Sequence, residues 1–392
     1  MSFDINRARR ETPGCANVVH FNNAGAGLMP APVLDAVQSH LTLEAEQGGY
    51  EAYAMALPKY QSAYVSLARL LNCDSFEIAL VENATRAWDM AFYGLPIEKG
   101  DKILTAHATY ASNYLAMLHV AEKTDAEIVL IPDDEQGQIS LEQLKNQIDE
   151  SVKLIALTHI PTNCGLINPA KEVGEIANQA GIPYLLDACQ AVGQIPIDVR
   201  DIGCDFLSGT GRKYLRGPRG TGFLYVRKAA LDLLDPPFID LHAATWTGPK
   251  KYELQPDSKR FENWEGFVAG KIGLGVAAAY ALDWGIENTW PRIHALGSQL
   301  RDELQDIPGI TLHDKGELQG GIVTFSHERV VASEIMKWLS SLSINVTTST
   351  REYALIDATT RDLPEIVRAS VHYYNTEEEI GRFGLAIKSV VG

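Results

Sequence analysis

The stretch Asp205–Tyr225, DFLSGTGRKYLRGPRGTGFLY, decides how the chain is read. In order it holds an apolar strand (Asp205 to Leu207), a turn of small residues (Ser208 to Gly211), a lysine beside an arginine, a hairpin rich in glycine and proline, and a second strand (Gly222 to Tyr225). The turn presents Lys213. Ser208, Gly209, Thr210 and Gly211 offer hydroxyls and close backbone approach beside two cationic side chains, which can hold a phosphate while leaving an amine free for a carbonyl. A lysine able to form a Schiff base next to a phosphate site points to pyridoxal phosphate. The same residues also suit a solvated loop, so the rest of the chain carries the choice.

With 392 residues, 46% of them apolar and 21% charged, the chain is long enough for two domains and a large core. No apolar run approaches the ~18 residues that span a bilayer, and the start, MSFDINRARRETPG, lacks the apolar core of a secretory signal. The expectation is a cytoplasmic protein. Five cysteines without a CxxC pair suggest neither a disulfide framework nor a metal site. A formal charge of −16 without a basic block argues against nucleic acid or an anionic membrane as partner.

Upstream, strand and helix patterns alternate: Lys102 to Ala106, a helix from Asn113 to Lys123, Glu127 to Ile131, a helix from Ser140 to Ile148, Lys153 to Thr158, a helix from Pro169 to Ala180, and Pro183 to Leu186. Repeated strand–helix–strand order with nearly continuous apolar strands implies a mostly parallel sheet covered on both faces, with chemistry at the carboxyl ends of the strands. Those ends carry HATYASN (His107 to Asn113), HIPTNCGLINP (His159 to Pro169) and Asp187-Ala188-Cys189-Gln190. An acid directly after the apolar run Tyr184-Leu185-Leu186 is costly unless it meets a cation or a donor, so Asp187 is a candidate functional group.

Two further segments suit anions. HFNNAGAGLMPAP (His20 to Pro32) joins a short strand to a helix through a turn whose amides and Asn side chains can meet a carboxylate. Asn83-Ala84-Thr85 opens a helix, where the first N–H groups lack partners, although Asn83 or Thr85 also suits an ordinary cap. Gly48-Gly49 ends a helix, and the Tyr50 and Tyr53 that follow suit a binding loop or plain packing. The Gly/Ala-rich helix to about Trp284 suits close packing of the kind a subunit boundary offers. Beyond Glu287 the pattern becomes a smaller α+β unit whose last helix opens with a capping-box spelling, Thr376 and Glu379.

With Lys213, Asp187 and RASVHYYNTEEEI (Arg368 to Ile380) together, the chain resembles the class V aminotransferase family of fold-type I pyridoxal phosphate enzymes, from Phe21 to Ile380. That group includes cysteine desulfurases, selenocysteine lyases, isopenicillin N epimerase-like proteins and cysteine sulfoxide lyases. The resemblance implies an α/β fold with a mostly parallel, helix-covered sheet in residues 21–284, a smaller α+β domain from 1–20 and 285–392, and a homodimer acting on an amino acid. It further implies that Lys213 carries the cofactor and moves the Cα proton, with Asp187 on the pyridine nitrogen and Tyr110 stacked on the ring. Gln190 and Asn163 would meet the ring hydroxyl, and Ala84, Thr85, Thr210 and Arg212 the phosphate. Arg368 matches the family arginine for the substrate carboxylate, and Asn23 is a second candidate contact there.

Three departures shape the functional expectation. Arg212 stands where the family usually has histidine. Residues 345–367, the segment in which desulfurases carry a persulfide-forming cysteine, contain none. FENWEG (Phe261 to Gly266) puts Glu265 near the place where desulfurases often have a threonine reaching the partner subunit's phosphate, so Trp264 and Glu265 are expected to face the substrate side chain instead, Glu265 meeting a cationic or N–H-bearing group. The reading reached is a lyase that eliminates sulfur from an S-substituted cysteine or cysteine sulfoxide. An amino-acid epimerase or aminotransferase of the same family is the alternative, and a persulfide-forming desulfurase ranks behind both.

Overall fold

The computed structural model describes residues 3–392. Seven strands form the main sheet: β1 (Ile78–Val81), β2 (Lys102–Ala106), β3 (Glu127–Ile131), β4 (Val152–Thr158), β5 (Tyr184–Asp187), β6 (Phe206–Thr210) and β7 (Gly222–Val226). Their spatial order is β1-β7-β6-β5-β4-β2-β3. All neighbours are parallel except β7, which is antiparallel to both β6 and β1. Strands β1 to β6 therefore run one way, and their carboxyl ends share one edge of the sheet.

Alternation along each strand feeds two cores. Leu104, Ile155, Leu157, Leu186 and Leu207 belong to one buried cluster, whereas Ile103, Leu154, Ala156, Leu185 and Phe206 belong to the other. Both faces are covered, which is why these strands are almost continuously apolar in sequence. The strand after Asp205 is longer than its apolar residues suggest: Ser208, Gly209 and Thr210 continue β6 instead of forming a turn. At Gly209 a Cβ would stand 2.2 Å from the Phe223 ring, so glycine lets β7 pack there.

On the first face lie α1 (Ala31–Gln47), α2 (Gly49–Leu71) and, much later in the chain, a helix over Val268–Trp284. The glycine–alanine face of that late helix is used inside the chain: a Cβ at Gly275 would lie 2.6 Å from Ala63 Cα. Gly48 breaks the α1–α2 junction at φ 96°, and Tyr50 and Tyr53 sit in the first turns of α2, not in a loop. Helix α3 (Ala84–Phe92) follows β1, and α4 (Ala111–Thr124) follows β2.

A four-stranded antiparallel sheet forms the second layer system: β8 (Ile310–Leu312), β9 (Ile322–His327), β10 (Thr347–Ser349) and β11 (Ile366–Ser370), in the order β8-β9-β11-β10. Its core gathers Val323, Phe325, Val367 and Ala369 with Leu300, Leu339 and Phe383, and the N-terminal Val19 and Phe21 join it. Val19 and His20 pair in parallel with Ile344 and Asn345. The Thr376 and Glu379 capping box forms, starting the final helix at Glu377. Among the described residues, no helix is long and apolar enough to cross a membrane.

Candidate functional site

A cavity of about 380 Å³ opens where the carboxyl ends of β1, β2, β5 and β6 meet. Asn83, Ala84, Thr85, Tyr110, Asn113, Asp187, Cys189, Ser208, Thr210, Arg212 and Lys213 are among its lining residues. Seven of the residues expected from sequence therefore converge on one space: Lys213, Asp187, Tyr110, Ala84, Thr85, Thr210 and Arg212.

One end of this space is built for an anion. Asn83 caps α3, its Oδ1 accepting the Arg86 N–H at 2.9 Å, which leaves the N–H groups of Ala84 and Thr85 at the cavity. Ser208, Thr210 and Arg212 stand around them. Close approach is possible because β7 begins with Gly222, where a Cβ would fall 2.5 Å from the Asn83 carbonyl carbon.

Lys213 is buried, its Nζ 6.0 Å from the centre of the Tyr110 ring. Burial lowers its pKa, and the charges of Arg212 and Arg368 add to the effect against the opposing pull of Cys189 and Asp187. A larger share of free amine at neutral pH follows, which is what attack on a carbonyl requires. The lysine is fixed by its backbone: the Arg216 N–H donates to the Lys213 carbonyl at 2.9 Å, with Arg216 at φ 61°. Gly27 donates its N–H to the Arg212 carbonyl at 2.8 Å and approaches so closely that a Cβ would lie 2.7 Å from the Lys213 carbonyl oxygen. Arg216 is fully buried, donating to Leu28 O, Tyr373 and Thr12, and so ties this turn to both ends of the chain.

Asp187 ends β5. Its Oδ1 accepts the Cys189 N–H at 2.9 Å and its Oδ2 accepts from Asn113 Nδ2 at 2.8 Å. Burial raises its pKa, opposed by those two donors and by Lys213. Asn113 was missed by sequence reasoning as a functional residue. Cys189 also lines the cavity, close enough to Lys213 for each to shift the other's pKa.

The remaining candidates do not line this space. Gln190 donates Nε2 to Ala24 O at 3.1 Å while its buried Oε1 has no partner. Asn163 Oδ1 accepts from Ser349 Oγ at 2.6 Å. Arg368, on β11, donates Nη1 to Thr162 Oγ1 at 2.5 Å, and its buried Nε has no partner. Burial, with the Arg212 charge, lowers its pKa to about 10. Asn23 is engaged elsewhere: its Nδ2 donates to Ser370 O at 2.7 Å and to His20 O at 3.2 Å, and its Oδ1 accepts from the Tyr374 hydroxyl, so both amide donors are already taken. His107 lies near Asp133 at 3.8 Å, outside the lining. Trp264 and Glu265 line a separate cavity. Among the described residues, no cluster of three or more His, Cys, Asp or Glu is arranged for a metal ion.

An anion cup at one end, an acid at the other, an aromatic wall and a free amine between them fit pyridoxal phosphate. The orphaned Gln190 Oε1 and Arg368 Nε are buried polar atoms of the kind that a polar ligand satisfies.

The family model for aminotransferase class-V matches residues 19–383. A probable cysteine desulfurase of Methanothermobacter thermautotrophicus is 30% identical over 394 residues, covering 98% of this chain and 97% of that protein. The solved apo cysteine desulfurase of Thermococcus onnurineus NA1 superposes with a TM-score of 0.92 at 26% identity, covering 100% of this chain and 98% of that one. The cystine C–S lyase C-DES, solved with its product cysteine persulfide, shares the fold with a TM-score of 0.86 at 23% identity, covering 96% and 99%.

Proposed function

The chain belongs to the class-V aminotransferase family of pyridoxal-phosphate-dependent enzymes, and from that premise we propose that it is a lyase cleaving the Cβ–S bond of an S-substituted cysteine or cysteine sulfoxide. When bound, the cofactor supplies an electron sink that acidifies the α-proton of an amino acid. The chain supplies the rest. Ala84, Thr85, Thr210 and Arg212 would hold the phosphate, Asp187 would pair with the ring nitrogen, Tyr110 would stack on the ring, and Gln190 and Asn163 would meet its hydroxyl. Arg368 holds the substrate carboxylate through charge-assisted hydrogen bonds.

Lys213 Nζ takes the α-proton, and the electron pair released at Cα forms the Cα–Cβ double bond as sulfur departs with the Cβ–S pair and a proton. The three-carbon fragment then hydrolyses to pyruvate and ammonia. Carboxylate binding and proton removal are assigned to different residues, which keeps the substrate oriented while Lys213 acts.

One observation carries the choice of elimination over persulfide transfer. Residues 345–367 hold no cysteine, and they fold as β10, a short turn and the helix Leu355–Thr360, with Ser349 bonded to Asn163. No thiol from this segment is available to take sulfur.

A second reading has its own support: Cys189 lines the main cavity beside Lys213, and the relative that is 30% identical is named a probable cysteine desulfurase. The two readings separate in one experiment. The holoenzyme is incubated with cysteine, cystine and S-substituted cysteine sulfoxides, and pyruvate, ammonia, alanine, protein-bound sulfur and pyridoxamine phosphate are scored, for the wild type and Cys189→Ser. Pyruvate with ammonia, retained in the variant, is expected. Alanine with protein-bound sulfur, lost in the variant, replaces the lyase by a desulfurase, and accumulating pyridoxamine phosphate replaces it by an aminotransferase.

A further inference from the structure

The segment that lacks a cysteine carries an aromatic residue, Tyr353, on the side of the site where Arg368 stands. Thr347 on β10 pairs with Arg368 on β11, and β10 ends at Ser349, whose Oγ donates to Asn163 Oδ1 at 2.6 Å. The residue next to Asn163, Thr162, accepts from Arg368 Nη1. Beyond Ser349 the chain leaves the sheet and turns through Arg351–Tyr353 before the helix Leu355–Thr360. The turn therefore begins beside the cation assigned to the substrate carboxylate. Burial dominates the pKa of Arg368, and Tyr353 is among the tyrosines near enough to act on it, with Tyr214 and with Tyr110 of the main cavity.

The turn is anchored on several sides. Arg351 donates Nε to Leu363 O and Nη2 to Asp362 Oδ1, each at 2.8 Å. In the helix that follows, the buried Asp357 has Arg361 Nη1 at 3.2 Å and Lys315 Nζ at 3.8 Å. Lys315 also lies 3.0 Å from Asp133, just past β3 of the main sheet, and the Gly316 N–H donates to Gln136 O at 2.8 Å. The segment is thus fastened to both sheets.

On this fixed backbone the Tyr353 side chain is 51% exposed. An aromatic ring offers a large flat apolar face, and a ring carried on an anchored turn gives up little freedom when a ligand covers it. A substrate held by its carboxylate on Arg368, with Cα toward Lys213, would bring its sulfur substituent within reach of this turn.

We propose, on the basis of the lyase reading and as a narrowing of its substrate class, that Tyr353 is the specificity-determining contact of the site. Its ring packs against an aromatic S-substituent of a cysteine conjugate whose carboxylate lies on Arg368.

Stopped-flow absorbance of the bound cofactor measures the affinity of the holoenzyme for S-benzyl-L-cysteine and S-methyl-L-cysteine, and pyruvate is scored in the same samples. The benzyl compound is expected to bind more tightly. Tyr353→Ala is expected to lower its affinity about three- to tenfold, the range an aromatic pair contributes, and Tyr353→Phe to retain it. The methyl compound reports any disturbance of Arg368, because it shares the carboxylate and lacks the ring. No benzyl preference in the wild type, a preference that survives Tyr353→Ala, or equal losses for the two compounds overturns the proposal. The expected pattern of affinities without pyruvate supports the contact and removes the lyase reading, since binding is read independently of elimination.

Discussion

Asn113 and the Cys189 N–H hold the two oxygens of Asp187. A hydrogen bond to a charged group contributes about 1.5–3 kcal/mol, and a buried carboxylate that loses one becomes easier to protonate. Asn113→Ala is therefore expected to weaken pyridoxal phosphate binding about tenfold or more and to move the pH dependence of the bound cofactor's absorbance, both read by spectrophotometric titration. Unchanged affinity together with an unchanged pH profile would assign the orientation of Asp187 to Cys189 alone. Lys213 and Asp187 stand out in sequence because each is chemically out of place, a cation among glycines and an acid after an apolar strand. Asn113 does not: 74 residues separate it from Asp187, and an asparagine near a helix start reads as a cap.

The proposed phosphate cup is a product of elements meeting. Helix α3 presents its N-terminus because β1, β7 and β6 lie side by side, and the first residue of β7 passes against the Asn83 backbone. Backbone atoms cannot yield as a flexible side chain does, so Gly222→Ala should push α3 away from Thr210 and Arg212 and cost about 1–3 kcal/mol of stability. The expected result is a severalfold loss in affinity for pyridoxal phosphate with little change for pyridoxal, which lacks the phosphate; equal losses for the two would place the effect in the ring site. Regular elements were legible from periodicity, including the apolar strands and the capped last helix. Short elements such as the strand Ile310–Leu312 and the helix Leu355–Thr360 were not, and neither were two boundaries. Ser208–Thr210 remain in the sheet because neighbouring strands supply their hydrogen-bond partners, and Tyr50 and Tyr53 are helical because α2 packs along the late helix through small residues such as Ala63 and Gly275.

At the scale of the molecule, the two sheets meet around the site through polar links. Arg368 reaches from the small sheet to Thr162, Gln194 Oε1 accepts the Gly321 N–H at 2.6 Å, and Lys315 lies 3.0 Å from Asp133. Buried histidines make the assembly sensitive to acid. Burial lowers the pKa of His159 to about 4, and that of His372, His20 and His313 is lowered by burial as well. In the unfolded chain these groups take up protons near the ordinary value of 6.5, so between about 6.5 and 4 the unfolded state binds more protons. Stability is complete above that window and falls as pH drops through it. Urea unfolding midpoints measured across the window should decline with acidification, and His159→Leu should flatten the decline; a slope identical to wild type would show that His159 is solvated.

The alternating strands and helices of the main sheet and the chemically conspicuous residues were determined by the sequence alone, because apolar period, glycine placement and misplaced charge are local properties, and the cofactor class followed from the resemblance those residues carry. Which of those residues share one cavity was decided by the tertiary structure. Lys213, Asp187, Tyr110, Ala84, Thr85, Thr210 and Arg212 come together because parallel strands deliver their carboxyl ends to one edge. Asn23 is drawn instead into bonds with Ser370 and Tyr374, and Trp264 and Glu265 join Lys271 around a second cavity. Such assignments depend on contacts between residues tens to hundreds of positions apart, and no local pattern encodes them.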